Sequence, residues 1–380
     1  MFFEKTEKQL RVLVPESIKE QHYAGALYGY HKVEAGIFNI TATAKEKRLR
    51  LLGEIVEELP DNHANTNKLF GVWKDDELKF FYRGKQYNTE YYSLYLNIFS
   101  RNRGILETSV MKEKSAVILG CGSVGSLVAL ELARSGVGKF LLVDTDILEY
   151  HNICRHQCGI SEVGEYKVDI VKRRILDINP AAEVIVRRKI VEHLSQEDFE
   201  AVCDKQNTIF IGCADNRKAD VYSNMVAARF GCSFISIGFW ERALAGEIFY
   251  WLPNKNMPCC GCALGSGGMS GRVETNNHHV YSNQVDIEKL KFEPGISVDI
   301  NFITCIGIKL ALDILNQTNE SYIPRLLNDL QQYTLICNTC NPAIGGEMVE
   351  IFSYPLQVTT SLKVNFGANC REDHLCRYEK

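Results

Sequence analysis

Residues 115–146 read SAVILGCGSVGSLVALELARSGVGKFLLVDTD. SAVILG is a short apolar strand, Gly120-Cys121-Gly122-Ser123-Val124-Gly125 a glycine-rich turn, LVALELARSG a helix and KFLLVD a second strand. Glycines between a strand and a helix let the backbone come close to a phosphate. The helix N-terminus adds N–H donors and the positive end of its dipole. Asp144 closes the second strand about twenty residues after the turn, placed to accept from ribose hydroxyls. Gly120, Gly122, Gly125 and Asp144 are therefore candidate nucleotide-binding residues.

Downstream the alternation continues. YKVDIVKRRILDI reads as a helix, EVIVRRK and NTIFIGCAD as strands, Asn216 to Phe230 as a helix, and CSFISIGF as a strand. Strand–helix alternation predicts an α/β fold with a doubly wound, mostly parallel sheet. Upstream the chain reads differently. Residues 36–44 look like a strand, and Leu52, Ile55, Val56 and Leu59 recur at helical spacing, so an amphipathic helix is expected over 45–59. LFGVW and LKFFYRG flank Asp75-Asp76 as a β-hairpin, and a further helix is expected to start at Asn88/Thr89. The expected organisation is a small α+β or winged-helix domain over 1–100, for substrate recognition or dimerisation. An adenylation-type domain over 101–355 and a C-terminal strand and tail over 356–380 follow it.

The residues after the second strand separate two nucleotide chemistries. Asp144-Thr145-Asp146 is followed by Asn152, Arg155 and Lys167. An NAD-linked oxidoreductase, the rival reading of a glycine turn, has no use for such a polar and cationic cluster. A triphosphate does, since Arg and Lys neutralise phosphate charge. Asp215, in GCADN at the end of a predicted strand, faces the crevice where such sheets bind ligands and is suited to Mg²⁺ beside phosphates.

The composition narrows the function classes. Of 380 residues 46% are apolar, enough for a full core. A net charge of −4 gives no basic field for nucleic acid. No signal-type apolar core follows Met1 to Lys8, and the apolar stretch from Ile300 to Leu315 is interrupted by Lys309 and Asp313, so no membrane span is expected. Fourteen cysteines without a secretion signal suggest a reducing cytoplasm, where paired cysteines favour metal over disulfide.

GCGSVGS, VDTD, NICRHQ, GEYKVD, INP and CADN, in this order and spacing, resemble the adenylation domain of the ubiquitin-activating (ThiF/MoeB/HesA-type) superfamily over roughly residues 100–345. The resemblance implies a Rossmann-like domain that uses ATP and Mg²⁺ to adenylate the C-terminal carboxylate of a ubiquitin-like or sulfur-carrier protein, or a peptide, releasing pyrophosphate. It implies that Gly122 lies against the phosphates, that Asp144 holds the ribose with Asp146 beside it, that Asn152, Arg155 and Lys167 contact the triphosphate, and that Asp215 binds the metal. His156 stands where many members have Gln directly after the Arg, and no chemistry is assigned to it. Phe99-Ser100-Arg101-Asn102 resembles the stretch whose Arg reaches into a partner subunit's ATP site. That implies a homodimer with Arg101 acting in trans, although position 98 is Ile where a second Arg is usual and Arg103 competes for the role. A conjugating enzyme is an optional further partner. A non-catalytic scaffold keeping this fold is the remaining alternative, and the intact Asp144, Arg155, Lys167 and Asp215 argue against it.

Two C-x-x-C pairs, Cys259/Cys262 and Cys337/Cys340, are expected to bind one structural Zn²⁺ through four thiolates. The gap between the pairs is too long for a small zinc finger and implies that two distant segments are stapled together. Superfamily members carry such pairs at corresponding places. Ubiquitin-type activators often place a thioester-forming cysteine after the first pair. Here the segment Ala263 to Pro294 is glycine-rich, contains His278 and His279, and has no cysteine. Cys370 and Cys376 lie in the polar tail, and an enzyme that adenylates without forming its own thioester is expected.

Overall fold

The computed structural model describes residues 10–45, 49–93, 97–264, 294–360 and 362–367. The chain divides into two compact units, residues 1–98 and 99–380.

The first unit is a closed barrel in the order β1-β3-β2-β4-β5-β6-β7. Its strands are β1 (Arg11–Pro15), β2 (Gly25–Lys32), β3 (Ile37–Ala42), β4 (Arg50–Val56), β5 (Leu69–Lys74), β6 (Glu77–Tyr82) and β7 (Lys85–Tyr92), and the short helix α1 (Glu16–Glu20) follows β1. Val12, Leu27, Phe38, Ile40, Leu69 and Phe80 fill its interior. The hairpin between β5 and β6 turns through Asp75 and Asp76, at φ 51° and 65°, the geometry of a tight two-residue connection.

Two expectations for this unit are overturned, and with them the winged-helix reading. The helix expected over 45–59 is strand β4, which pairs antiparallel with β2 and parallel with β5. A Cβ on Gly53 would lie 1.7 Å from the Leu69 carbonyl oxygen, an approach only a glycine in a paired strand permits. The helix expected from Asn88 is strand β7, where the Thr89 hydroxyl donates to the Leu78 carbonyl at 2.7 Å.

The second unit is an eight-stranded sheet in the order β10-β9-β8-β11-β12-β13-β14-β15. Its strands are β8 (Ser115–Leu119), β9 (Lys139–Val143), β10 (Glu183–Arg187), β11 (Thr208–Gly212), β12 (Ser233–Phe239), β13 (Ala245–Trp251), β14 (Tyr333–Cys337) and β15 (Val358–Thr359). Pairing is parallel from β10 through β12 and antiparallel beyond. The helices that matter here are α2 (Ser123–Arg134), α3 (Lys167–Ile178), α4 (Arg217–Arg229), α5 (Cys260–Leu264) and α6 (Ser297–Leu315).

Alternation along the strands builds a core on each face. Ala116 and Ile118 join Phe140, Leu142, Ile209 and Ile211 under α2, α3 and α6. Val117 and Leu119 join Leu141, Val143 and Phe210 under α4. Apolar residues at both alternating positions are what a strand covered on both sides requires. Because β8 is followed by β9 on one side and flanked by β11 on the other, the chain reverses direction there. The crevice beyond the carboxyl ends of β8 and β11 is the expected ligand position. Among the described residues, no helix is long and apolar enough to cross a membrane.

Candidate nucleotide site

The turn after β8 is built by close backbone packing. Gly120 has φ +92°, and a Cβ there would stand 3.1 Å from both the Cys213 carbonyl and the Ala214 nitrogen, on the turn after β11. A Cβ on Gly125 would lie 1.8 Å from the Gly120 carbonyl oxygen, so the first turn of α2 can sit on the loop only if residue 125 has no side chain. Gly122 differs. It caps the N-terminus of α2, and among the described residues a Cβ on it would meet nothing within 4 Å. Two glycines therefore serve packing, and the third faces open space at a helix N-terminus.

Asp144 ties this turn to the second strand. Its Oδ2 accepts from the Cys121 N–H at 2.6 Å and its Oδ1 from the Asp146 N–H at 2.8 Å. Burial raises its carboxyl pKa, with Lys167 and the two backbone donors opposing and Asp146 adding to the rise. Lys167 begins α3 and is buried, with Nζ 2.8 Å from Asp146 Oδ2. Burial works to lower its pKa, but Asp144 and Asp146 outweigh it and hold the ammonium above its ordinary range. A cation is thus held in the crevice between two carboxylates.

The segment 149–157 folds as a compact turn beside them. The Glu149 N–H donates to Asn152 Oδ1 at 3.0 Å, and the Asn152 carbonyl accepts from the N–H groups of Arg155 and His156. Arg155 is half-buried on this turn. His156 is buried and its Nε2 lies 2.7 Å from the Cys121 carbonyl oxygen. That nitrogen must carry the proton and donate. Among the described residues the buried Nδ1 has no hydrogen-bond partner, which fits the neutral ring. Burial, the largest influence, lowers its pKa to about 4. The Gln157 N–H adds a longer link to Ser126 Oγ at 3.4 Å. Asp215 is exposed in the turn between β11 and α4, beside the Ala214 that meets Gly120, and Asn216 caps α4 by accepting from the Lys218 and Ala219 N–H groups.

The structure therefore gathers Gly120, Gly122, Gly125, Asp144, Asp146, Asn152, Arg155, Lys167 and Asp215 around the carboxyl ends of β8, β9 and β11. It does not bring Arg101 to them. Arg101 is exposed on the turn Ser100–Asn102, whose Asn102 Nδ2 donates to the Arg134 carbonyl at the far end of α2. The contact of His156 with the glycine turn was not visible in the sequence, where only its position directly after Arg155 marked it.

The cysteine pairs are close within themselves. Cys259 Sγ and Cys262 Sγ are 3.9 Å apart, and the Gly367 N–H donates to Cys262 Sγ at 3.1 Å. Thiolates about 2.3 Å from one tetrahedral zinc would be spaced at close to that distance. Burial pushes the Cys259 thiol up to about 11, and burial followed by the neighbouring Cys340 does the same for Cys337. Among the described residues, no group of three or more His, Cys, Asp or Glu side chains is arranged to hold a metal ion. His278, His279, Cys370 and Cys376 lie outside the described residues.

The model of the ThiF family matches residues 96–343. The tRNA threonylcarbamoyladenosine dehydratase of Bacillus subtilis is 41% identical over 123 residues, which are 30% of this chain and 48% of that protein. Ubiquitin-like modifier-activating enzyme 5 of Oryza sativa is 29% identical over 270 residues, 68% of this chain and 56% of that protein. The chain thus spans about half the length of these curated relatives. Among solved structures, E. coli MccB with ATP superposes with a TM-score of 0.47 at 18% identity, covering 69% of this chain and 67% of that one.

Proposed function

The chain belongs to the ThiF family, and from that premise we propose that it adenylates a carboxylate with ATP. A carboxylate oxygen attacks the α-phosphorus, the acyl-adenylate forms and pyrophosphate leaves. The observation that carries this reading is the meeting of the glycine turn, Asp144 and the buried Lys167 at one crevice. A carboxylate is already ionised at neutral pH, so no general base is needed. What remains is alignment and neutralisation of charge at the phosphates. Gly122 faces the phosphates, Asp144 and Asp146 the ribose, and Asn152, Arg155 and Lys167 the triphosphate. Asp215 offers hard carboxylate oxygen suited to Mg²⁺, which would supply further positive charge there. Cys259, Cys262, Cys337 and Cys340 would hold one structural Zn²⁺, and the 3.9 Å thiol pair fits one edge of its tetrahedron.

The substrate we propose is the C-terminal carboxylate of a ubiquitin-like or sulfur-carrier protein, or of a peptide. The adenylate then passes directly to a partner's thiol or amine, since the segment after Cys262 up to Pro294 carries no cysteine. The 41% identity to a dehydratase named for a tRNA nucleoside favours a second reading, a carboxylate carried on RNA. The net charge of −4 weighs against it.

The active form is a homodimer in which Arg101 reaches the neighbouring site. In support, its turn packs on the C-terminal end of α2, a helix of 12 residues and hence about 18 Å long, while the glycine turn is at the other end.

ATP–pyrophosphate exchange tests the whole reading. Exchange stimulated by a small protein with a free C-terminal tail is expected. Stimulation by tRNA alone would select the second reading. Binding of NADH with ATP ignored would restore an oxidoreductase, and no nucleotide binding at all would leave a scaffold.

A further inference from the structure

We propose that His156 is a positioning residue: by donating one hydrogen bond from Nε2 it fixes the Cys121–Gly122 peptide and ties the Arg155 turn to it. This rests on the adenylation reading for its consequence in ATP binding, but the contact itself belongs to the free protein. A trans peptide is planar, and its N–H points opposite to its C=O. The Cys121 carbonyl is drawn inward to the buried imidazole at 2.7 Å. The Gly122 N–H, in the same peptide plane, is therefore turned away from the ring. On the other side of Cys121, its own N–H is held by Asp144 at 2.6 Å. The residue between the glycines is thus gripped at both of its backbone polar groups, and neither can rotate without breaking a buried bond.

The same ring belongs to the turn that carries Arg155, one residue earlier. The backbone N–H groups of both residues converge on the Asn152 carbonyl, at 3.1 and 2.9 Å. The imidazole thus joins turn and glycine loop directly, with the longer Gln157 N–H to Ser126 Oγ contact beside it. Among the described residues Nδ1 has no hydrogen-bond partner, so the polar contact of the ring is the one through Nε2. A leucine would fill much of the space but would take the donor away from the buried Cys121 carbonyl. What leucine lacks is the donor.

The test compares the wild type with His156→Leu, which keeps bulk without a donor, and His156→Gln, which keeps an N–H donor at similar reach. Amide hydrogen exchange of residues 120–126 is followed in the free protein, and Kd for ATP and thermal stability are measured for each. Leu is expected to raise exchange in the glycine turn by about tenfold or more and to weaken ATP about tenfold, with Gln restoring most of both. Unchanged exchange and Kd in His156→Leu would overturn the proposal. So would a His156→Gln protein that folds as well as wild type yet behaves like Leu. If the Leu protein does not fold, Gln alone decides, by retaining ATP affinity within about twofold of wild type or losing it. A wild type that binds no ATP refutes adenylation and leaves the exchange comparison to judge His156.

Discussion

A cation almost enclosed by protein must be matched, and Lys167 is matched by Asp146 at 2.8 Å and by the nearby Asp144. Asp146, the partner in direct contact, is itself exposed. Lys167→Ala, Arg155→Ala and Asp215→Ala should each reduce pyrophosphate exchange by about 100–1000-fold, the usual cost of removing one preorganised charge-stabilising contact. Thermal melts should show the Asp215 protein folded, because that side chain is exposed. Near-normal exchange in it would remove the metal role. His156 makes a different demand. Burial holds its pKa near 4, against 6.5 when exposed; the Cys121 carbonyl and Glu162 favour the proton, and Lys167 and Arg174 oppose it. The folded protein thus binds fewer protons than the unfolded chain between these values. Its contribution is present above pH 6.5 and is lost as pH falls toward 4, by roughly 3 kcal/mol in all. Melting temperature followed from pH 7 to pH 5 should fall less in His156→Gln than in wild type; parallel curves would place the acid sensitivity elsewhere.

Elements show where reading by pattern succeeds. The glycine turn announces itself because its constraints are local, residue 120 against residue 125 five positions on. Hence Gly125→Ala should lower thermal stability sharply and abolish ATP binding, whereas Gly122→Ala should fold normally, its Cβ having room. Equal stability of the two proteins would contradict the packing described. The parallel strands were legible for a similar reason: SAVIL, KFLLV and TIFIG are apolar on both faces, and only a strand covered on both sides needs that. Strand β4 was not legible. Its Leu52, Ile55 and Val56 suit a helix as well as a strand, and the deciding fact, Gly53 against the Leu69 carbonyl, lies on the neighbouring strand β5, sixteen residues on. The link from His156 to Cys121 spans 35 residues and was hidden in the same way. The cysteine pairs were legible as pairs, and their joining through a metal is a prediction. Freshly purified protein should contain one zinc per chain, and chelation should lower its melting temperature. Absence of zinc by metal analysis would end that claim.

At the scale of the whole molecule, the question is whether one chain holds a complete site. The turn bearing Arg101 packs at one end of α2 and the glycine turn is at the other. Mixing Arg101→Ala subunits with Lys167→Ala subunits should therefore recover part of the lost exchange activity, since mixed dimers contain one site with both residues intact. No recovery, with subunit exchange demonstrated, would show that Arg101 is idle or acts within its own chain. The barrel of the first unit bears on partners in another way. Because β1 pairs β3 on one side and β7 on the other, every strand in it has a neighbouring strand on both sides. A flexible tail from another protein cannot be recruited there as an added strand, the commonest low-specificity way that sheets capture extended chains. Whatever that unit recognises, it must recognise by side chains and loop ends. Among the described residues, a tail seeking backbone pairing would find its strand edges in the other unit, whose sheet terminates in β10 and β15.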